Sequence, residues 1–219
     1  MYIGGDNEAC SSPDASWVST INGQGWSIAP LWVGLQSACS GYANTFPTGP
    51  ESTDYSDGKS SAENAISAAE SLGFASGSIV YYDLEGFGAQ SNSGCATAAI
   101  NYIDGWTDEL HSHGWSAGVY GSSCDSGIKN YSGVDDIWPA DWNTTDSVWG
   151  LSCIVAGTWE DDLRLHQYDH NVYHGWGGTS TYKVDEDCAF GQVAGTTFNE
   201  NYHETVDENN GSTEDAACP

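Results

Sequence analysis

The stretch Ile79-Val80-Tyr81-Tyr82-Asp83-Leu84-Glu85-Gly86 limits the fold of this chain more than any other. Four apolar or aromatic residues run without a break into two carboxylates, and a glycine ends the run. A short continuous apolar run reads as a strand buried on both faces, the kind found in parallel sheets. In α/β folds the residues that do chemistry sit where such strands end. Side chains alternate along a strand, so Asp83 and Glu85 share a face, with Cα atoms about 6–7 Å apart. Two carboxylates held close on one rigid element suit glycoside hydrolysis, which needs an acid and a second carboxylate around one sugar bond. The competing reading is an acidic pair in a solvated loop of an acid-rich chain. The apolar lead-in favours a site.

Acid-richness is itself a constraint. Thirty-one Asp and Glu stand against 4 Lys and Arg, for a formal charge of −27. Such a field repels nucleic acid and anionic membranes, which excludes both as main partners. It is tolerated most easily where salt screens it, so a high-salt habitat and an ordinary acidic secreted protein both remain open. The 219 residues suffice for one domain with a substantial core. Residues 1–195 read as that domain, and 196–219 as an acidic polar tail. Ten Trp and 12 Tyr supply core, but they are also platforms on which sugar rings stack.

Seven cysteines, at positions 10, 39, 95, 124, 153, 188 and 218, show no C-x-x-C pair or zinc-finger spacing. They read as disulfides of an oxidising compartment, with one left over. Many pairings are open, and Cys10–Cys39 with Cys95–Cys124 is the trial assignment. Three N-x-S/T sites, at Asn130, Asn143 and Asn210, are compatible with surface glycosylation. Met1-Tyr2-Ile3-Gly4-Gly5-Asp6 is no signal peptide, and no apolar run is long enough to cross a membrane. An exported protein without an export signal suggests a mature or truncated form.

Taken in order, residues 2–5 read as a short strand, 15–24 as a helix closed by Gly25, and 26–33 as a strand weakened by Pro30. Residues 34–59 read as a long Gly/Ser/Thr/Pro-rich loop, a length that is usually functional. A helix from Ser60 or Ser61 to Leu72 follows, then the 79–83 strand. The next helix spans about 95–113, with Ala99, Ile103, Trp106 and Leu110 as its core stripe. Strands follow at 115–120, 137–142, 165–168 and 183–185, with a short helical piece near 126–131. This alternation, with carboxylates and aromatics at strand ends, predicts a parallel α/β barrel of the TIM type, one strand short of closure.

Several motifs in order add a resemblance. They are Y-I-G-G (2–5), A-P-L-W-V-G (29–34), Y-Y-D-L-E-G-F (81–87), S-G-I-K (126–129), H-Q-Y-D (166–169) and W-G-G followed by V-D-E-D (176–187). Together they closely resemble the glycoside hydrolase-like domain of unknown function 1906, common in secreted actinobacterial proteins, over roughly residues 2–190. That family resembles a TIM-type barrel related to the family 25 lysozymes, which cut peptidoglycan. The resemblance implies Glu85 as general acid, and Asp83 as a carboxylate that stabilises positive charge or orients an N-acetyl group. Asp185 would be a supporting carboxylate. The family's first strand, with its pocket aspartate, has no counterpart here. A lost N-terminal segment, or a second copy of the chain completing the barrel, would account for that.

Candidate sugar-binding residues are Tyr81, Trp32, Tyr120, Asp141, Trp142, Gln167 and Trp176, although for each aromatic taken singly core packing is the stronger use. Asp187 is expected to face solvent. His166, His170 and His174 are spaced by four, a metal pattern on a helix, but Gln167-Tyr168 reads as strand, so neither metal nor cofactor is expected. No G-x-S-x-G nucleophile and no phosphate loop stands out. Three functions stay in play: a glycosidase on a cell-wall or extracellular polysaccharide, an inactive carbohydrate-binding protein, and a structural surface or fibre protein.

Overall fold

A computed structural model describes residues 1–8, 13–159, 163–175 and 181–190. The elements run β1 (Tyr2–Gly4), α1 (Ala15–Gly23), β2 (Leu31–Trp32), β3 (Gln36–Ser37), β4 (Thr45–Phe46), α2 (Glu51–Leu72) and β5 (Ile79–Asp83). They continue with α3 (Ser93–Ser112), β6 (Ser116–Ser122), a 3-10 turn (Ile128–Asn130), β7 (Asp136–Ala140), β8 (Arg164–Gly175) and β9 (Thr181–Phe190). Seven strands form one curled half-barrel sheet in the order β1-β2-β5-β6-β7-β8-β9, and β3 pairs with β4 apart from it.

The expected α/β barrel is thus present as an open half. Strands β1, β2, β5, β6, β7 and β8 are parallel, but β9 runs antiparallel to β8. Regular strand–helix alternation also stops after α3. Residues 141–163, between β7 and β8, contain no helix among those described. Arg164 organises that segment from below. Its buried guanidinium donates to the carbonyls of Trp159 at 2.9 Å and Val148 at 3.2 Å, and to that of Thr158. It also lies 4.6 Å from the Trp149 ring centroid. A planar fork of five donors suits such a role, because irregular backbone offers carbonyls that no helix or ladder satisfies.

The sheet has two unlike faces. Val80, Tyr82, Leu84, Ala117 and Val119 pack outward with the apolar sides of α2 and α3, where Ala99, Ile103, Trp106 and Leu110 form the expected stripe. Leu31, Ile79, Tyr81, Trp138 and Leu165 form a smaller cluster on the inner face. Helix α2 begins at Glu51, more than two turns before the expected start, and closes on Gly73 in the left-handed conformation at φ 95°. Gly58, which on sequence belongs to a loop, is instead a contact point between helices. A Cβ at Gly58 would lie 1.9 Å from the Tyr102 carbonyl oxygen, and one at Gly105 would lie 2.0 Å from that of Tyr55. The two backbones touch at both glycines.

The trial disulfides are not the ones formed. Cys39 pairs with Cys95 across 56 residues, and Cys124 with Cys153 across 29. Each bridge fastens an irregular segment to a regular element or its end, which sequence adjacency does not reveal. Cys188 is also disulfide-bonded, while Cys10, Cys218 and the expected tail 196–219 lie outside the described residues.

Replacing Gly105 by Ala forces the helices apart and is expected to cost about 1–3 kcal/mol. Gly94, in the same helix, has open space where a Cβ would stand, with nothing within 4 Å of it, and serves as the control: Gly94→Ala should stabilise by up to about 1 kcal/mol. Urea midpoints read both, and equal midpoints for the two variants would contradict the packing.

Candidate active site

The end of β5 is where the inner face meets the loops. Asp83 follows Ile79 and Tyr81 on that face by alternation, and it is only 2% exposed. Its Oδ1 is buried without a hydrogen-bond partner among the described residues. Burial, and next the charge of Glu85, push its pKa well above the ordinary carboxylate range. Glu85, two residues on, is half-buried. Burial raises its pKa too, against the opposing effects of a hydrogen bond from Tyr42 and one from the Gly86 backbone.

Gln36, fully buried on β3, sets the backbone between the two acids. Its Nε2 donates to the Asp83 carbonyl at 2.6 Å, and its Oε1 accepts from the Glu85 N–H at 2.8 Å. One side-chain amide therefore completes the strand end as a neighbouring strand would. Leu84 N–H donates to the Tyr120 carbonyl at 2.9 Å on the other side.

Tyr120 links β5 to the far half of the sheet. Burial, and next the surrounding acidic groups, push the pKa of its phenol up. Its hydroxyl donates to Gln167 Oε1 at 3.0 Å, and Trp142 Nε1 donates to the same oxygen at 2.9 Å. Gln167 Nε2 in turn donates to Asp185 Oδ2 at 3.4 Å, while Asp185 Oδ1 accepts from the Asn171 N–H at 2.9 Å. Trp142 remains 55% exposed and stacks on His170 with ring centroids 3.9 Å apart. Asp83, Glu85, Tyr120, Trp142, Gln167 and Asp185 thus belong to one connected region.

Other candidates fall elsewhere. Tyr81 is fully buried, hydrogen-bonds Asp136 and meets Trp138 edge-on at 5.5 Å, so it underlies the site as core. Trp32 pairs in register with Tyr82 and belongs to the helix-facing cluster, where its Nε1 donates to Ser61 Oγ at 2.8 Å. It lies on the wrong side of the sheet to meet a sugar beside Asp83. Asp141 serves its own loop: its Oδ2 accepts from the Ser152 N–H at 2.7 Å, and its carbonyl faces His166 Nε2 at 2.8 Å. Trp176 lies outside the described residues. His166, His170 and His174 occupy strand β8, where a spacing of four does not bring side chains together as it would on a helix.

Three participants are absent from the sequence candidates. Gln36 and Tyr42 lie in the stretch that reads only as a long functional loop, and that length is their one signal. Asp187 keeps the expected solvent exposure, yet its Oδ1 accepts from Trp138 Nε1 at 2.7 Å. The protein around it and the neighbouring Asp185 push its pKa up to about 6 against that hydrogen bond. A separate groove of about 320 Å³, lined by Met1, Trp17, Ile21, Trp26, Ser27, Ile28 and Ala29, does not include these acids.

Comparison with known proteins bears on the family and the fold. The family model described as Rv2525c-like, glycoside hydrolase-like domain matches residues 1–189. The crystal structure of an uncharacterized B. stearothermophilus protein is similar at a TM-score of 0.57 and 15% identity, covering 86% of this chain and 81% of that one. The Mycobacterium tuberculosis Tat-secreted protein Rv2525c, solved in complex with L-tartrate, is similar at 0.53 and 15% identity, covering 86% and 82%. At that identity the likeness concerns the fold. No curated protein matches the chain.

The buried Asp83 carboxyl carries a linkage consequence. Its folded pKa is raised, so the folded state holds the proton that the unfolded chain gives up at lower pH. Its contribution to stability is complete below the ordinary carboxylate range and is lost as pH rises toward its own pKa. Asp83→Asn should therefore unfold at higher denaturant than the wild type at neutral pH, with the two converging in acid. A variant less stable at neutral pH would show Asp83 to be ionised and compensated in the fold.

Proposed function

This chain belongs to the Rv2525c-like, glycoside hydrolase-like domain family, and on that premise we propose a secreted protein acting on a cell-wall or extracellular polysaccharide. One observation carries the reading. A half-buried Glu85 with a raised pKa stands beside the buried Asp83 at the end of a central parallel strand. A general acid needs its proton near working pH, and withdrawal from water supplies it. Glu85 has the solvent access that a proton donor to a glycosidic oxygen requires, so it is the acid.

Asp83 takes the assisting role in a specific form. With its pKa raised by burial, it suits donating a hydrogen bond to an acetamido or hydroxyl group better than holding positive charge. Asp185 supports through Gln167, and the exposed face of Trp142 offers the stacking platform. The disulfides and the Tat-secreted neighbour Rv2525c support export to an oxidising compartment. The charge of −27 argues for a glycan rather than nucleic acid as partner. A second copy of the chain completing the open barrel is our proposal for the β1 end of the sheet, which pairs with no further strand among the described residues, and sedimentation mass reads it directly.

The second reading, glycan binding without turnover, is favoured by the depth of Asp83 and the exposure of Trp142. The two separate on peptidoglycan fragments and glycan arrays. Hydrolysis by the wild type should fall about 10²–10⁴-fold in Glu85→Gln, with glycan binding retained, while Trp142→Ala should weaken binding. Binding without hydrolysis in the wild type selects the second reading. Neither binding nor hydrolysis on any glycan would sink both.

A further inference from the structure

Gln167 stands where Tyr120, Trp142 and Asp185 converge, and it is only 6% exposed. Its Oε1 accepts from the Tyr120 hydroxyl at 3.0 Å and from Trp142 Nε1 at 2.9 Å. An indole N–H can only donate, so the amide must turn its oxygen toward Trp142. Its Nε2 then faces Asp185 Oδ2 at 3.4 Å, where a donor is required. With the amide reversed, its nitrogen would meet the indole N–H and its oxygen a carboxylate. One orientation alone satisfies these neighbours, and it engages both lone pairs of Oε1.

Trp142 is fixed in both backbone and ring. On either side of it, Asp141 N–H donates to the Gln167 carbonyl at 3.2 Å and Thr144 N–H to that of Tyr168 at 2.9 Å. The Asp141 carbonyl also lies 2.8 Å from His166 Nε2. The indole stacks on His170 with ring centroids 3.9 Å apart, which covers one face. Its N–H is held by Gln167. The residue is nonetheless 55% exposed, so the exposure belongs to the opposite face and to the edges away from Gln167. A large aromatic side chain free to rotate in water would have to be ordered when a ligand arrives. This one is ordered in advance.

We propose that Gln167 is a positioning residue that locks the Trp142 indole as a platform for one pyranose ring, met through that ring's C–H face. The inference rests on the glycan reading for its ligand, and on the hydrogen bonds above for the lock. Gln167 does not itself read the sugar, because its oxygen is already engaged by two protein donors. The indole N–H and the Tyr120 proton are engaged by the same oxygen, so neither is left to recognise a sugar hydroxyl. What remains at Trp142 is a broad apolar face, suited to the C–H side of a pyranose. This subsite therefore reads ring shape and leaves hydrogen-bond recognition to the acid pair. Tyr120 is the register partner of Asp83 on the neighbouring strand. Through Tyr120 and Gln167 the platform keeps a fixed place relative to the two acids.

The experiment is indole ¹⁵N–¹H NMR of the intact chain, with the Trp142 signal assigned by its loss in Trp142→Phe. The Trp142 Nε1–H should exchange with water about 5–10-fold more slowly than that of Trp26, which is 65% exposed. In Gln167→Leu that protection should be lost while the other tryptophan signals stay in place. Soluble peptidoglycan fragments should shift the Trp142 ring signals with its Nε1–H still protected, and Gln167→Leu should weaken their binding about 3–10-fold. Exchange as fast at Trp142 as at Trp26 in the wild type overturns the lock, and this measurement needs no variant to fold. Loss of protection when fragments bind, or equal affinity in the wild type and Gln167→Leu, overturns the role assigned to the platform. A protected indole with no fragment bound retains the lock and rejects only the glycan reading.

Discussion

Holding a carboxyl group out of water at the end of a fully buried strand is the constraint on which this structure turns. Every residue of β5 is buried, Asp83 included. Burial of an ionised carboxylate without a partner is costly, and the usual escape is to keep the proton. Burial shifts Asp83 in that direction, so the strand end carries an acid biased toward its protonated form beside one that keeps access to solvent. A sheet could satisfy the Asp83 backbone with another strand. This one uses the amide of Gln36. Asp83 is sealed beneath, and Glu85 stays half-open to solvent.

The two halves of the sheet meet this constraint by different means. Around β5 the support is regular: α2 and α3 approach to backbone contact at Gly58 and Gly105, and the buried alanines of α2 extend its packed face. Around β7 and β8 the support is irregular, and buried Arg164 with the Cys124–Cys153 bridge replaces the missing helix. A helix presents one stripe to a sheet, whereas the 141–163 segment sends Trp142 to the site and carbonyls to Arg164 and His166. The irregular half therefore supplies the aromatic and amide groups, and the regular half supplies the acid pair. Antiparallel β9 then brings Asp185 and Asp187 to the same face, a position that a closing parallel strand would fill differently.

How much of this is legible in the sequence follows how local each signal is. Strand β5 and the acid pair are legible because a continuous apolar run and a two-residue alternation are complete within eight residues. The α3 stripe is legible for the same reason. The first turns of α2 are not, because Gly58 and the flanking serines look like loop unless the partner helix is known to press on that glycine. Gln36 is invisible in its role, since its two contacts to the acid pair span 47 and 49 residues. Trp32 looks like a site residue by its type, and only the register with Tyr82 shows it facing the helices. The disulfides escape for a like reason, because adjacency in the chain carries little information about which loop ends on which helix.

The acidic surface and the acidic site act in the same direction. A net charge of −27 raises the cost of ionising each further carboxylate, more so at low ionic strength, where screening is weak. For surface acids this effect is spread over solvent. For Glu85 it adds to partial burial, and the side chain that draws its pKa downward is the neutral hydroxyl of Tyr42 rather than a cation. A lysine or arginine in that position would pin the carboxylate in its charged form through Coulomb attraction. A phenol stabilises the anion while leaving the proton within reach. In a chain with only 4 basic residues, few cations are at hand to pull such an acid into its charged form.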